Sequence, residues 1–105
     1  MNGAIFSVVI PCLNEAPSLQ VCLIEIRQAA DALNLPYEIV VADNNSTDDS
    51  ARIAREYGAR VVSVAKRGYG SALNAGILAA RGQAVVFADA DGNDWHNSPR
   101  DIDLR

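Results

Sequence analysis

Positive charge is scarce in this chain. Nine residues are Lys or Arg against thirteen Asp or Glu, for a net charge of −4, and no basic run is longer than the pair Lys66-Arg67. A protein that held nucleic acid mainly by its phosphates would need a basic face, so that class of partner is excluded. Cysteine is scarcer still. Cys12 and Cys22 match no paired zinc spacing, so two free thiols are expected rather than a disulfide, and with them a cytosolic location. No apolar run approaches the ~20 residues of a membrane span. The apolar start from Ala4 to Leu13 contains Pro11 and has neither a basic leader nor a small-residue cleavage site, so no secretory signal is expected. Glycine is missing where a nucleotide fingerprint would need it. The first apolar run leads into Pro11-Cys12-Leu13-Asn14-Glu15-Ala16, with no Gly-rich turn and no Walker lysine. The single histidine, His96, and the single tryptophan, Trp95, read as packing or loop residues.

Half of the 105 residues are apolar, enough to build one core and one domain. Their spacing alternates between two patterns. Ile5 to Ile10 is a continuous β-branched run that reads as a buried strand ending at Pro11, which has no N–H for a ladder. Pro17 or Ser18 then opens a helix with Leu19, Cys22, Leu23, Ile26, Ala30 and Leu33 on one stripe, broken by Pro36. Tyr37 to Ala42 is a second strand, ending at Asp43. The run Asn44-Asn45-Ser46-Thr47-Asp48-Asp49 is rich in helix-capping residues, and a helix is predicted from Ser50 to Tyr57, stopped by Gly58. Arg60 to Ala65 is a third strand with the polar ends of an edge. After the basic, glycine-punctuated loop Lys66-Arg67-Gly68-Tyr69-Gly70, a helix is predicted over Ser71 to Ala80, ended by Gly82. Gly68 and Gly70 lack the third glycine of a phosphate-binding fingerprint and carry a weak signal.

A fourth apolar strand, 85–88, is expected to be buried on both faces. It runs into Asp89-Ala90-Asp91-Gly92. Alternate strand residues point the same way, so Asp89 and Asp91 present two carboxylates from one strand end. Like charges about 4 Å apart repel by roughly 4 kcal/mol at an effective dielectric near 20, so the pair needs a counter-charge. A hard divalent cation fits best. Four strands alternating with three helices predict an α/β fold, a parallel sheet of order 3-2-1-4 with helices on both faces. The chain reverses direction between the first and fourth strands, and a ligand crevice forms there. The loop from Pro11 to Glu15, Asp43 and the acid pair should meet at that carboxyl edge, with Asp43 and Asp89 two strand spacings, roughly 10 Å, apart.

At these residues the chain resembles the family 2 glycosyltransferases, inverting enzymes with a Rossmann-like GT-A nucleotide-diphospho-sugar fold. The resemblance lies in SVVIPCLNEA, EIVVADNNSTDDSARIA, RGYGSALNAGILAARG and VVFADADGND, in the family's order and spacing, and it is strongest toward the polyprenyl-phosphate sugar transferases. It implies that Pro11, Leu13 and Glu15 line the nucleotide pocket and that Val41 and Asp43 meet the base. It implies that Asp89, Ala90 and Asp91 form the D-x-D motif, whose acids bind the ribose and the Mg2+ or Mn2+ on the diphosphate, with Asn93 as a further polar metal contact. Ser98 to Ile102 resembles the short helix that follows. The donor implied is a UDP- or GDP-type sugar and the acceptor a lipid phosphate. A longer protein would then associate with the cytoplasmic face of a membrane.

Residues 92–105 are all that follow Asp91 here, while the family places its acceptor pocket and catalytic base further on. The chain is therefore expected to be a donor-binding half, truncated at its C-terminus, with the base beyond residue 105. Two alternatives compete. One is a nucleotide-binding module that turns nothing over; the other is a haloacid dehalogenase-like phosphatase with Asp89 as nucleophile, although that family's motif follows its first strand.

Overall fold

Four apolar runs become the four strands of one parallel sheet in a computed structural model that describes residues 3–90. They are β1 (Phe6–Cys12), β2 (Tyr37–Asp43), β3 (Arg60–Ser63) and β4 (Ala84–Phe87), joined by helices α1 (Ala16–Asp31), α2 (Ser50–Glu56) and α3 (Tyr69–Ala79). The sheet order is β3-β2-β1-β4, as the alternation of elements predicts. Cys12 of β1 lies beside Asp43 of β2, which lies beside Ser63 of β3, while Val9 of β1 lies beside Phe87 of β4.

Strand periodicity divides the core between the two faces. Val8, Ile10, Cys12, Ile39 and Val41 pack with Leu19 and Leu23 of α1 and Ala54 of α2. On the other face Ala42 packs with Val64 and Ala72 of α3. Gly76 brings α3 so close that a β carbon there would collide with the Val9 side chain. No described helix is long and apolar enough to cross a membrane.

Several expectations need correction. β1 does not end at Pro11 but continues to Cys12. Strand residues alternate in which neighbour they face: the Val9 carbonyl accepts from Ala88 on the β4 side, and the Cys12 carbonyl accepts from Asn44 on the β2 side. Pro11 shares the orientation of Val9, and the β4 ladder stops at Phe87, so its missing N–H forfeits no bond. β4 is not buried on both faces; Val86 is 48% exposed, because β4 is the outer strand among the described residues. α1 stops at Asp31, and Leu33 lies outside both the helix and the core. α3 begins at Tyr69 rather than Ser71 and ends at Ala79, where Ala80 turns extended before Gly82 is reached.

At the opposite, amino edge, Glu38 gathers the elements. Its carboxylate accepts from the Ser7 hydroxyl, from Arg60 (3.0 Å) and from the Arg81 amide (2.6 Å), while Arg60 also donates to the Ala79 carbonyl at the end of α3. Burial alone would raise the Glu38 pKa, but these donors outweigh it and hold the group below its ordinary 4.5. A depressed carboxylate contributes stability that is present above its unfolded-state pKa and is lost as pH falls through the folded value. Acid unfolding below about pH 4.5 should therefore be shallower in Glu38→Gln than in the wild type, measured as urea midpoints from pH 6 to 3. Parallel curves would remove Glu38 from the acid limb.

Candidate functional site

The ends of β1 and β2, the β3–α3 loop and the residues after β4 meet at the carboxyl edge, where the chain reverses across the sheet. Asp43, the last residue of β2, is 6% exposed. Its Oδ2 accepts from the Ser46 amide at 3.1 Å, while its Oδ1 is buried and has no hydrogen-bond partner among the described residues. A buried carboxylate oxygen left unpaired costs about 1–3 kcal/mol, so an N–H or O–H brought to it would be bound favourably.

Two loops around Asp43 are laced together by side chains. Asn14, held at φ 53° where asparagine is tolerated better than most residues, accepts through Oδ1 from the amides of Thr47 (2.7 Å) and Asp48 (3.3 Å), and its own amide donates to the Ser46 hydroxyl. In return Asp48 accepts from the Ala16 amide at the start of α1, and the Ser50 hydroxyl accepts from the Glu15 amide. Glu15 makes no side-chain cap to its helix, so the neighbouring loop supplies what the first turn lacks. Burial alone would raise the Asp48 pKa, but the Ser50 hydroxyl and amide and the Ala16 amide outweigh it, and the carboxylate stays below its ordinary range.

Asn44 is fully buried and spends its amide on the β3–α3 loop. Its Nδ2 donates to the carbonyls of Val64 and Lys66, both at 2.9 Å, and its Oδ1 accepts from the Gly68 amide at 2.9 Å. Gly68 has φ 123°, which a side chain would strain. The chain leaves it into Tyr69, whose hydroxyl donates to Asp89 Oδ1 at 3.2 Å. Burial first, then the charge of Asp89, pushes the Tyr69 pKa up to about 12, so the hydroxyl keeps its proton. Cys22 of α1 donates through Sγ to the Asp89 carbonyl at 3.3 Å. Both cysteines are free thiols. Burial, reinforced by the nearby charges of Asp43 and Glu15 and partly offset by a Ser50 hydrogen bond, pushes the Cys12 pKa up to about 12 and leaves an unreactive thiol.

Of the residues singled out in the sequence, Pro11, Leu13, Glu15 and Asp43 lie buried at the ends of β1 and β2, and Asp89 is exposed at the same edge beyond β4. Val41 and Ala90 are core residues, so neither offers side-chain surface to a ligand. Asp91, Asn93 and the segment 98–102 lie outside the described residues, as do Trp95 and His96. Asn14, Asn44, Asp48, Ser50 and Tyr69 are the positions the sequence did not single out for the site. For all but Tyr69 the signal was the density of Asn, Ser and Asp after two strand ends, which reads equally well as helix capping.

Among the described residues no three Asp, Glu, His or Cys side chains come together as a metal cage. A Mg2+-type ion needs less, one or two carboxylates completed by substrate phosphates and water. Asp89 fits that role: Oδ1 is held by Tyr69, and Oδ2 takes no hydrogen bond among the described residues.

The family model for Glycosyl transferase family 2 matches residues 7–97. The chain belongs to this family. A mycobacterial relative, an uncharacterized glycosyltransferase of Mycobacterium tuberculosis, is 46% identical over 93 residues, covering 89% of this chain and 39% of its own length. The undecaprenyl-phosphate 4-deoxy-4-formamido-L-arabinose transferase of Edwardsiella ictaluri is 43% identical over 103 residues, covering 91% of this chain and 31% of its own. Among solved structures, glucosyl-3-phosphoglycerate synthase of Mycobacterium tuberculosis in complex with Mn2+, UDP and glucosyl-3-phosphoglycerate superposes with a TM-score of 0.71 at 35% identity, over 85% of this chain and 34% of that one. The chain thus spans about a third of the length of these family 2 relatives. Family membership replaces the phosphatase alternative for Asp89, and the sheet order is that of the GT-A fold.

Proposed function

We propose that this chain is the donor-binding part of an inverting family 2 glycosyltransferase that takes a UDP-type sugar with Mg2+ or Mn2+ and passes the sugar to a polyprenyl phosphate. The observation that carries the proposal is the unpaired, buried Oδ1 of Asp43 at the same sheet edge as Asp89. A nucleobase N–H supplies the donor that Asp43 lacks. Pro11, Leu13 and Glu15 wall the pocket, with Val41 and Ala90 as its supporting core. Asp89, with Asp91 and Asn93, would hold the cation on the diphosphate, and that cation would neutralise the departing diphosphate. Support for the donor and the metal comes from the synthase, solved with UDP and Mn2+ and also with Mg2+ and UDP. The undecaprenyl-phosphate transferase supports the lipid-phosphate acceptor. The residues given roles here all act on the donor or its cation, so donor binding is the activity proposed for this stretch.

Calorimetric titration with UDP, with and without Mn2+, tests the proposal. Wild-type binding should strengthen with Mn2+, and Asp43→Ala should weaken it about tenfold under both conditions, since one hydrogen bond to a charged group is worth roughly 1.5 kcal/mol or more. Asp89→Asn should remove most of the Mn2+ dependence. UDP binding that ignores Mn2+ and both substitutions would overturn the proposal.

A further inference from the structure

Tyr69 stands apart from the residues that bound the nucleotide pocket. It opens α3 on the far side of the sheet from α1, yet its hydroxyl reaches the acid that follows β4. Asp89 is otherwise fixed through its backbone: the Ala88 amide donates to the Val9 carbonyl at 3.0 Å, and Cys22 donates to the Asp89 carbonyl. What those contacts leave undetermined is the rotation of an exposed carboxylate. Tyr69 removes that freedom by binding Oδ1, so Oδ2 is presented in one direction. Tyr69 is itself aimed from β2, because Asn44 beside Asp43 grips the Gly68 amide immediately before it. One connected path therefore runs from the end of β2 through Asn44, Gly68 and Tyr69 to Asp89, spanning both acids of the edge.

We infer that Tyr69 is a positioning residue for the cation-bound diphosphate, orienting the Asp89 carboxylate through its hydroxyl without touching donor or metal. This rests on the donor-site proposal above. A fixed carboxylate binds a cation without first losing rotational freedom, and that saving appears when the metal is present and is absent for the nucleotide alone.

The test compares wild type, Tyr69→Phe, Asp89→Asn and the double variant by calorimetry with UDP, in Mn2+ and in metal-free buffer, with thermal melts confirming that Tyr69→Phe is folded. Tyr69→Phe keeps the ring and loses the hydroxyl. It should bind UDP about five- to tenfold more weakly in Mn2+ and within twofold of wild type without metal. In the Asp89→Asn background the same substitution should change nothing further, the non-additivity expected of two groups acting through one contact. Equal losses with and without Mn2+ would assign Tyr69 to loop structure alone and overturn the inference, as would wild-type binding by Tyr69→Phe while Asp89→Asn is impaired. If wild type itself binds UDP without regard to Mn2+, or if Asp89→Asn leaves the Mn2+ dependence intact, the donor-site proposal fails and this inference falls with it.

Discussion

Asn44→Ala is expected to lower the unfolding free energy by about 2–4 kcal/mol, because three hydrogen bonds vanish and the Val64 carbonyl is left in a buried setting. That is a large part of the ~5–15 kcal/mol that holds a domain of this size together. Urea denaturation followed by circular dichroism measures it. The exposed neighbour Asn45 is the control. At φ 68° it adopts a conformation glycine also accepts, so Asn45→Gly should stay within about 0.5 kcal/mol of wild type. If Asn44→Ala denatures at the wild-type midpoint, the β3–α3 loop is held by something other than this amide, and the path to Tyr69 is broken at its first link.

Gly82→Ala is the second large effect, and its cause is crowding by main chain. A β carbon at Gly82 would stand 2.6 Å from the carbonyl carbon of Phe6 and 2.7 Å from its Cα and from the Ser7 nitrogen. Those atoms belong to a central strand bonded on both sides, so they cannot give way as a flexible side chain would. Relief requires lifting the 80–83 turn, which would break the Gly82 amide bond to the Ser7 hydroxyl and the Gln83 and Ala84 amide bonds to the Ile5 carbonyl. A loss of roughly 3 kcal/mol is expected, at the upper end for overpacking. Gly70→Ala should have the opposite sign. Nothing lies within 4 Å of a β carbon there, and the residue sits inside α3, so alanine should stabilise by about 0.4–1 kcal/mol. Thermal melts of the two variants, moving in opposite directions from wild type, would separate steric crowding from a general intolerance of change around α3.

The sheet order was legible because each apolar run is short, β-branched and closed by a turn or an acid, and because strands alternating with helices leave few parallel arrangements. Asp43 and Asp89 could be placed at one edge for the same reason. The depth of β4 was not legible: an apolar run such as Val85 to Phe87 looks alike whether its outer flank is covered or open. Pro11 misled because the rule that proline ends a strand omits which neighbour its nitrogen faces. Asn44 and Asp48 were read as local caps because asparagine and aspartate do serve their own turns well. Asp48 does serve its own turn through Ser50, but Asn44 and Asp48 also bond partners twenty or more residues away, and only the packed sheet brings those within reach. Gly82 was taken for a helix stop, since sequence alone cannot distinguish a glycine required by torsion from one required by proximity.

The lacing of the first loop to the second through Asn14, Asp48 and Ser50 bears on how a nucleotide is received. Each loop's side chains close the other's main-chain donors, so neither can open without exposing amides of its neighbour. On the donor-binding proposal, the base end of the crevice would thus be assembled when the chain folds, and the ordering that a floppy pocket undergoes on meeting its ligand would already have happened.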